Sequence, residues 1–350
     1  MDRFVFIVCQ HGAEKPLKAH AAASNAWRLA FSRPGLLTLK YVGEGSDDRE
    51  FTSPLVRLAG VGLGSVKGEL ADECFEKAWK LATEAREDGQ PIQWDAIHVF
   101  QRDRALPGAF RFEPGRSELS ESIVEALTVW LAERGIELPI NQAAKMDGHV
   151  LDIVLSEPHQ WFVGYHTVRA VHEQWPGGVP PIVPPAEMVS RAYLKMAEAI
   201  LWGRLPIGSS DAVVEIGSAP GGASQRLLDM GLSVTGIDAA EMDERIEGHP
   251  RFEHWRSKAA AVKRKMYRKF KWLVCDANVA PNYTLDIIGD IVNYDGAQIE
   301  GMLLTFKLSG WDQLQHLPEQ LKQIRALGFS RVEARQLAHN RRELCVAAQR

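Results

Sequence analysis

The stretch Val213-Val214-Glu215-Ile216-Gly217-Ser218-Ala219-Pro220-Gly221-Gly222-Ala223-Ser224-Gln225 has the residue types and spacing to meet a ligand. An apolar strand runs into a glycine turn, and a helix follows. Glycines at 217, 221 and 222 keep a Cβ out of the way, and the first N–H groups of the helix have no partner within it. A nucleotide-like cofactor is implied. Sixteen residues past Gly222 the next apolar run ends in Gly236-Ile237-Asp238, and an acid at that point can accept hydrogen bonds from both hydroxyls of an adenosine ribose. A dinucleotide site reads G-x-G-x-x-G near the start of its domain. This turn reads G-x-x-P-G-G and follows an extra helix, which favours S-adenosylmethionine over NAD.

A second chemical feature is electrostatic. Residues 256–271 (RSKAAAVKRKMYRKFK) hold Arg256, Lys258, Lys263, Arg264, Lys265, Arg268, Lys269 and Lys271 and no acid. The bland reading is a solvated helix face. Eight cations interleaved with Met266, Tyr267 and Phe270 fit a phosphate-binding surface better. The chain as a whole is mildly acidic, at -4, but Lys+Arg against Asp+Glu is 19 to 25 over residues 1–185 and 22 to 20 over 186–350. The halves therefore carry -6 and +2, and the positive field belongs to the second.

These residues need elements to hold them. At 350 residues the chain exceeds one compact core, so two domains are expected. Pro176-Gly177-Gly178-Val179-Pro180-Pro181-Ile182-Val183-Pro184-Pro185 excludes a continuous helix or central strand and reads as a linker over 176–185, or as an extended segment lying on a surface. Before it, over 1–175, strand-like runs at Phe4–Cys9, Leu37–Val42, Ile97–Phe100, Val150–Leu155 and Trp161–His166 and helical patterns at 70–87 and 119–134 predict an α+β domain of one or two lobes. After it, over 186–350, helices near 190–202, 222–230, 283–293 and 311–326 alternate with strands at Ala212–Ile216, Ser233–Ile237, Trp272–Cys275 and Met302–Lys307, with a closing pair at Arg331–Gln336 and Leu344–Ala348. That alternation predicts a doubly wound, mostly parallel α/β sheet with its ligands at the carboxyl ends of the strands.

Composition excludes several classes. At 45% apolar, 25% charged and 8% aromatic, the chain is neither disordered, nor collagenous, nor stapled by disulfides. Cys9, Cys74, Cys275 and Cys345 stand far apart without CxxC or Cys/His spacing, so buried thiols are expected and a metal site is not. His159, His166 and His172 show no metal spacing either. Tryptophans 27, 79, 94, 130, 161 and 175 read as core. No apolar run is long enough to span a membrane, and Met1-Asp2-Arg3-Phe4-Val5 does not look like a leader, so a cytoplasmic protein is expected.

The turn E-I-G-S-A-P-G-G-A-S-Q resembles the first motif of the FtsJ ribose 2′-O-methyltransferases, usually D-L-G-x-x-P-G-G-x-x-Q. That resemblance implies a Lys-Asp-Lys-Glu catalytic tetrad, matched by Lys195 in S-R-A-Y-L-K, Asp276 after W-L-V-C, Lys307 closing M-L-L-T-F-K, and Glu343 in R-R-E-L-C-V. It further implies a Rossmann-like methyltransferase domain with cofactor contacts from Ser190, Gly217, Ala219, Pro220, Gly221, Gly222, Asp238 and Asp276. With an N-terminal domain that would be THUMP-like, the chain is most similar to RlmM-type enzymes. Those methylate a cytidine ribose of large-subunit ribosomal RNA, so RNA or a precursor particle is the implied partner. Asp276-Ala277-Asn278-Val279-Ala280-Pro281 spaces its Asp and Pro more widely than the family's D-M-A-P, and Ser257 takes the place of an acidic adenine contact. In this chemistry Lys307 is the expected base, its ammonium pKa lowered by the neighbouring Lys195 cation and by partial burial, while Asp276 orients both lysines and Glu343 holds Lys195 or the hydroxyl network. Phosphate contacts fall to Arg256, Lys258, Lys263, Arg264, Lys265, Arg268 and Lys269. Two rival readings are an RNA-binding assembly protein that keeps the fold, and a methyltransferase for another substrate.

Overall fold

A computed structural model describes residues 4–43 and 51–350. Met1, Asp2 and Arg3, on which the absence of a leader was read, lie outside them. Contacts divide the chain into two units, Met1–Pro181 and Ile182–Arg350.

The first unit contains β1 (Phe4–Val8), α1 (Glu14–Ala23), β2 (Trp27–Arg33), β3 (Leu36–Tyr41), β4 (Leu58–Lys67), α2 (Ala71–Glu84), the short pair β5 (Arg86–Glu87) and β6 (Gln90–Pro91), β7 (Ala96–Gln101), α3 (Glu118–Ala132), β8 (His149–Glu157) and β9 (Gln160–Thr167). One sheet, ordered β2-β3-β1-β4-β9-β8-β7, runs through the unit, so the α+β expectation of one lobe applies and that of two does not. The pairs are antiparallel except β7 with β8. Helices α2 and α3 bury Phe75 and Trp130 against Leu151, Ile153 and Trp161. Besides the two-residue pair β5 and β6, two longer strands of this unit escaped the sequence pattern. In β4 the run L-A-G-V-G-L-G looks like a loop, yet a Cβ on Gly60 would come within 2.5 Å of the Phe6 ring, so glycine is demanded by close packing inside a strand. In β2 Trp27 is the one buried residue, which erases the two-residue alternation. Residues 176–180, expected in the linker, are built into this unit: Gly177 O accepts from Arg57 Nε at 2.8 Å, and Val179 is buried.

The second unit contains α4 (Ala192–Gly203), β10 (Ala212–Ile216), α5 (Gly222–Asp229), β11 (Ser233–Asp238), α6 (Glu244–Glu247), β12 (Phe252–Arg256), β13 (Trp272–Cys275), α7 (Pro281–Val292), β14 (Gly301–Lys307), α8 (Leu317–Ala326), β15 (Arg331–Arg335) and β16 (Glu343–Gln349). Its sheet is ordered β12-β11-β10-β13-β14-β16-β15. All neighbours are parallel except those of β16, which is antiparallel to both β14 and β15. Met196, Ala199, Ala223 and Leu227 of α4 and α5 pack on Val213, Val274, Leu303 and Cys345. Helices α7 and α8 lie against β14 and β15. This is a doubly wound α/β fold, and strand order reverses between β10 and β13, the switch point where such sheets bind ligands. No helix among the described residues is long and apolar enough to cross a membrane. All four cysteines are free and buried.

Candidate active site

Four separate stretches converge at the carboxyl end of this sheet. Strand β13 is buried throughout, and Asp276 follows it with its backbone N–H still on Ile216 O of β10 at 3.1 Å. The apolar strand β14 ends at Lys307, whose antiparallel partner across the ladder is Glu343, the first residue of β16. Cross-strand partners share a face, so the register brings the ammonium and the carboxylate to the same side of the sheet. Helix α4 buries Tyr193, Leu194, Met196 and Ala197, and brings Lys195 over the same strand ends.

The side chains form an alternating square. Lys195 Nζ lies 2.5 Å from Glu343 Oε1 and 3.6 Å from Asp276 Oδ2. Lys307 Nζ lies 2.7 Å from Glu343 Oε2 and 2.8 Å from Asp276 Oδ1. Each cation thus faces two carboxylates and each carboxylate two cations. Burial by itself pushes the Glu343 carboxyl up, but the two ammonium groups reverse this and hold it below its usual range. Burial likewise pulls the Lys307 ammonium down, and the Asp276 and Glu343 carboxylates overcome it and raise Lys307 well above an ordinary lysine. The expectation that Lys195 lowers the Lys307 pKa is therefore corrected: the shift is upward. Two carboxylates in direct contact outweigh one neighbouring cation.

Beside the square lies the glycine turn. Gly217 (φ +80°) and Gly221 (φ +116°) use the left-handed region that favours glycine. Their neighbours are protein: a Cβ on Gly217 would come 2.7 Å from Ala277 Cα, one on Gly221 2.8 Å from Ile246, and one on Gly222 would run into Ser190 Oγ. The glycines thus let β10, α4 and the Asp276 loop close up around the turn, a packing demand the sequence reading assigned to the ligand alone. No side chain caps the N-terminus of α5, which leaves its N–H groups for a ligand. Asp238 closes β11, and its carboxylate accepts from Ala219 N at 3.1 Å and Ala240 N at 2.9 Å. Each oxygen keeps a lone pair for a ribose hydroxyl. Pro220 O accepts from Asp243 N, and Ser257 N–H donates to Asp238 O at 3.1 Å, which puts Ser257 next to that acid. A half-exposed acid, an uncapped helix start and a glycine turn suit an adenosine-bearing cofactor.

Three buried groups were not singled out from the sequence. Glu215, 1% exposed, accepts from Ser224 Oγ at 2.5 Å, and burial, with the Asp276 and Asp238 charges adding, pushes its carboxyl up to about 8. Glu198 and His339 form a buried pair next to the square. The only signal for Glu198 was its place one turn beyond Lys195.

The basic run is not a helix face. It leaves β12 at Arg256 and continues through short 3-10 turns at Ala259–Ala261 and Arg264–Lys269. Tyr267 and Phe270 are core, not surface. Acids distant in sequence meet most of the cations: Arg256 pairs with Glu241, Arg264 with Asp290, Arg268 with Asp295, Lys269 with Glu253 and Lys271 with Glu300. Of the eight cations, Lys258, Lys263 and Lys265 have no ion-pair partner among the described residues. Nor do the described residues contain any group of three His, Cys, Asp or Glu side chains placed to hold a metal ion.

Residues 188–309 match the family described as FtsJ-like methyltransferase. Two curated relatives carry the name ribosomal RNA large subunit methyltransferase M. The Halorhodospira halophila protein is 30% identical over 182 residues, 51% of this chain and 52% of its own. The Histophilus somni protein is 27% identical over 213 residues, 58% of each. The chain therefore spans about half the length of the curated relatives it matches. A solved structure, a possible methylase from Clostridium difficile 630, covers 100% of this chain at 10% identity and a TM-score of 0.34, too low to add to the fold seen in the sheet order.

Proposed function

We infer that the chain, whose residues 188–309 match the FtsJ-like methyltransferase family, moves a methyl group from S-adenosylmethionine to a ribose 2′-hydroxyl of RNA. The observation that carries this reading is the alternating square of Lys195, Glu343, Lys307 and Asp276 beside the glycine turn. Large-subunit ribosomal RNA as substrate is supported by the names of the relatives, and cytidine as the target by the resemblance to RlmM-type enzymes. On the same reading the protein works in the cytoplasm, and the first unit is a THUMP-like module that docks the RNA.

The turn at Gly217 to Gly222, Ser190 and Asp238 would hold the cofactor, which when bound supplies a methyl on a positively charged sulfur. A ribose hydroxyl is a weak nucleophile at neutral pH, so its oxygen must be held in line and its proton removed. Lys307 is placed to hold that oxygen. In the free site Lys307 is an ammonium, because Asp276 and Glu343 keep it so. Any positive charge that draws on Asp276 weakens that hold and moves Lys307 toward accepting the proton. Lys195 keeps Glu343 from binding Lys307 alone, and so limits the same hold from the other side.

Mapping 2′-O-methyl groups in ribosomal RNA from cells with and without the gene tests the reading, with wild-type and Lys307→Ala copies reintroduced. One modified ribose should vanish with the gene, return with wild type and stay absent with Lys307→Ala, since proton removal contributes roughly 10²–10⁴-fold. An unchanged methylation pattern in the deletion would overturn it.

A further inference from the structure

Between β15 and β16 the chain turns inward. Leu337, Ala338, His339 and Asn340 are all buried, unusual for a loop, whose backbone N–H groups must then find partners. Glu198 supplies two of them. Its carboxylate accepts from Ala338 N at 2.8 Å and from His339 N at 2.9 Å, and one oxygen stands 2.8 Å from His339 Nδ1. Burial would push such a carboxyl up, yet the His339 ring and the two backbone N–H groups hold Glu198 below its usual range. An ionised carboxylate at 4% exposure is costly unless fully engaged, and this one is.

The arrangement is aimed at the square. Glu198 stands one turn beyond Lys195 on α4. Arg191, before the first turn of the same helix, donates from Nη2 to His339 O at 3.3 Å. The helix thus grips one loop residue from two points that flank Lys195. Four residues after His339 comes Glu343, whose Oε1 also receives the Arg341 N–H at 3.4 Å.

We propose that Glu198, braced on His339, is a positioning residue that sets where the Glu343 carboxylate stands between Lys195 and Lys307. It deepens the methyl-transfer reading and rests on it for the use made of the square. The geometry itself is independent of that reading. The charged groups facing Lys307 are Asp276 after β13, Glu343 on β16 and Lys195 on α4. The titratable groups facing Glu198 are His339, with Arg191 behind it, and the Cys345 thiol on β16, which burial and the nearby carboxylates keep neutral. Without the brace the buried loop loses partners for two N–H groups and moves, taking Glu343 with it. Asp276 is then the one carboxylate left on Lys307, and the ammonium gives up its proton more easily.

Competitive acetylation of the full-length protein with acetic anhydride, read by peptide mass spectrometry, measures this without any methyl transfer. The rate at Lys307, relative to the exposed Lys322 in the same sample and followed against pH, reports its deprotonated fraction. Glu198→Ala should raise that ratio about tenfold for each pKa unit that Lys307 loses. Glu198→Gln, which keeps an oxygen for one backbone N–H, should raise it less. Near-ultraviolet circular dichroism and cooperative urea unfolding identify the folded variants, and if Glu198→Ala does not fold, Glu198→Gln and His339→Ala decide with the same readout. A Lys307 ratio at the wild-type value in every folded variant overturns the proposal, even if thermal stability falls. Methyl transfer by the wild-type protein is a separate result, so a failed functional reading and a failed positioning role remain distinguishable.

Discussion

Replacing Glu343 by Gln tests the square at its most buried corner. The substitution keeps the shape and one acceptor oxygen, and removes a charge that touches two ammonium groups at 2.5 and 2.7 Å. At an effective dielectric of about 20, opposite charges 4 Å apart are worth roughly 4 kcal/mol, so the lost attraction is large. Breaking a buried pair by removing one partner costs about 3–5 kcal/mol, and the retained oxygen favours the lower end, about 3 kcal/mol. The pH dependence gives the sharper signature. Glu343 has its carboxyl depressed in the fold, so its contribution is present above the unfolded value of about 4.3 and is lost as pH falls through the folded value. Lys307 is raised, so its contribution is complete below about 10.4 and is lost only as pH climbs through its folded value. The stability gap between wild type and Glu343→Gln should therefore be constant near neutral pH and close in acid. The alkaline edge of the variant should move down. Hydrogen exchange of β14 and β16 peptides against urea, at several pH values, measures the gap within this unit. A gap that stays flat from neutral pH to about pH 3, or never exceeds about 1 kcal/mol, refutes the electrostatic account.

Asp238→Ala should weaken S-adenosylmethionine binding by about 1–3 kcal/mol, and Asp238→Asn by less because one acceptor remains for Ala219 N–H. Calorimetry giving equal affinities would remove Asp238 from the cofactor site. Lys258, Lys263 and Lys265 changed together to Ala should flatten the salt dependence of RNA binding by up to about one log unit per lost contact. Arg264→Ala and Lys269→Ala should change it less, since Asp290 and Glu253 already take those charges; equal slopes for both sets would contradict the pairing argument. Glu215→Gln should stabilise the second unit at pH about 8 and lose that advantage toward pH about 4. A carboxyl raised in the fold binds its proton more tightly there than in the unfolded chain, and so costs stability as pH rises. A variant less stable than wild type at pH about 8 would show that the Ser224 contact outweighs the burial of Glu215.

Local patterns along the chain specify the second unit's class and the location of its chemistry. Alternating apolar runs and helical stretches after residue 186 specify a wound sheet because strand and helix periods are local properties of the chain. The glycine turn and Asp238 are legible for the same reason: one strand, one turn and one helix carry them all. Lys195, Asp276, Lys307 and Glu343 were readable as motif matches, each at an element's end. Their alternation was not readable, because it depends on the Lys307–Glu343 register across antiparallel strands and on where α4 crosses them. That contact reversed the expected direction of the Lys307 shift, since a neighbouring lysine can be inferred from a motif while two carboxylates within 2.8 Å cannot. The basic run shows the same division. Eight cations are visible in sequence, but Asp290, Asp295, Glu253, Glu241 and Glu300 reach them only in space. In the first unit, β4 hid behind its glycines because the Phe6 ring that excludes a Cβ at Gly60 comes from another strand. Glu198 and His339, 141 residues apart, meet only when the β15–β16 loop turns inward, so their pairing is a property of the tertiary structure alone.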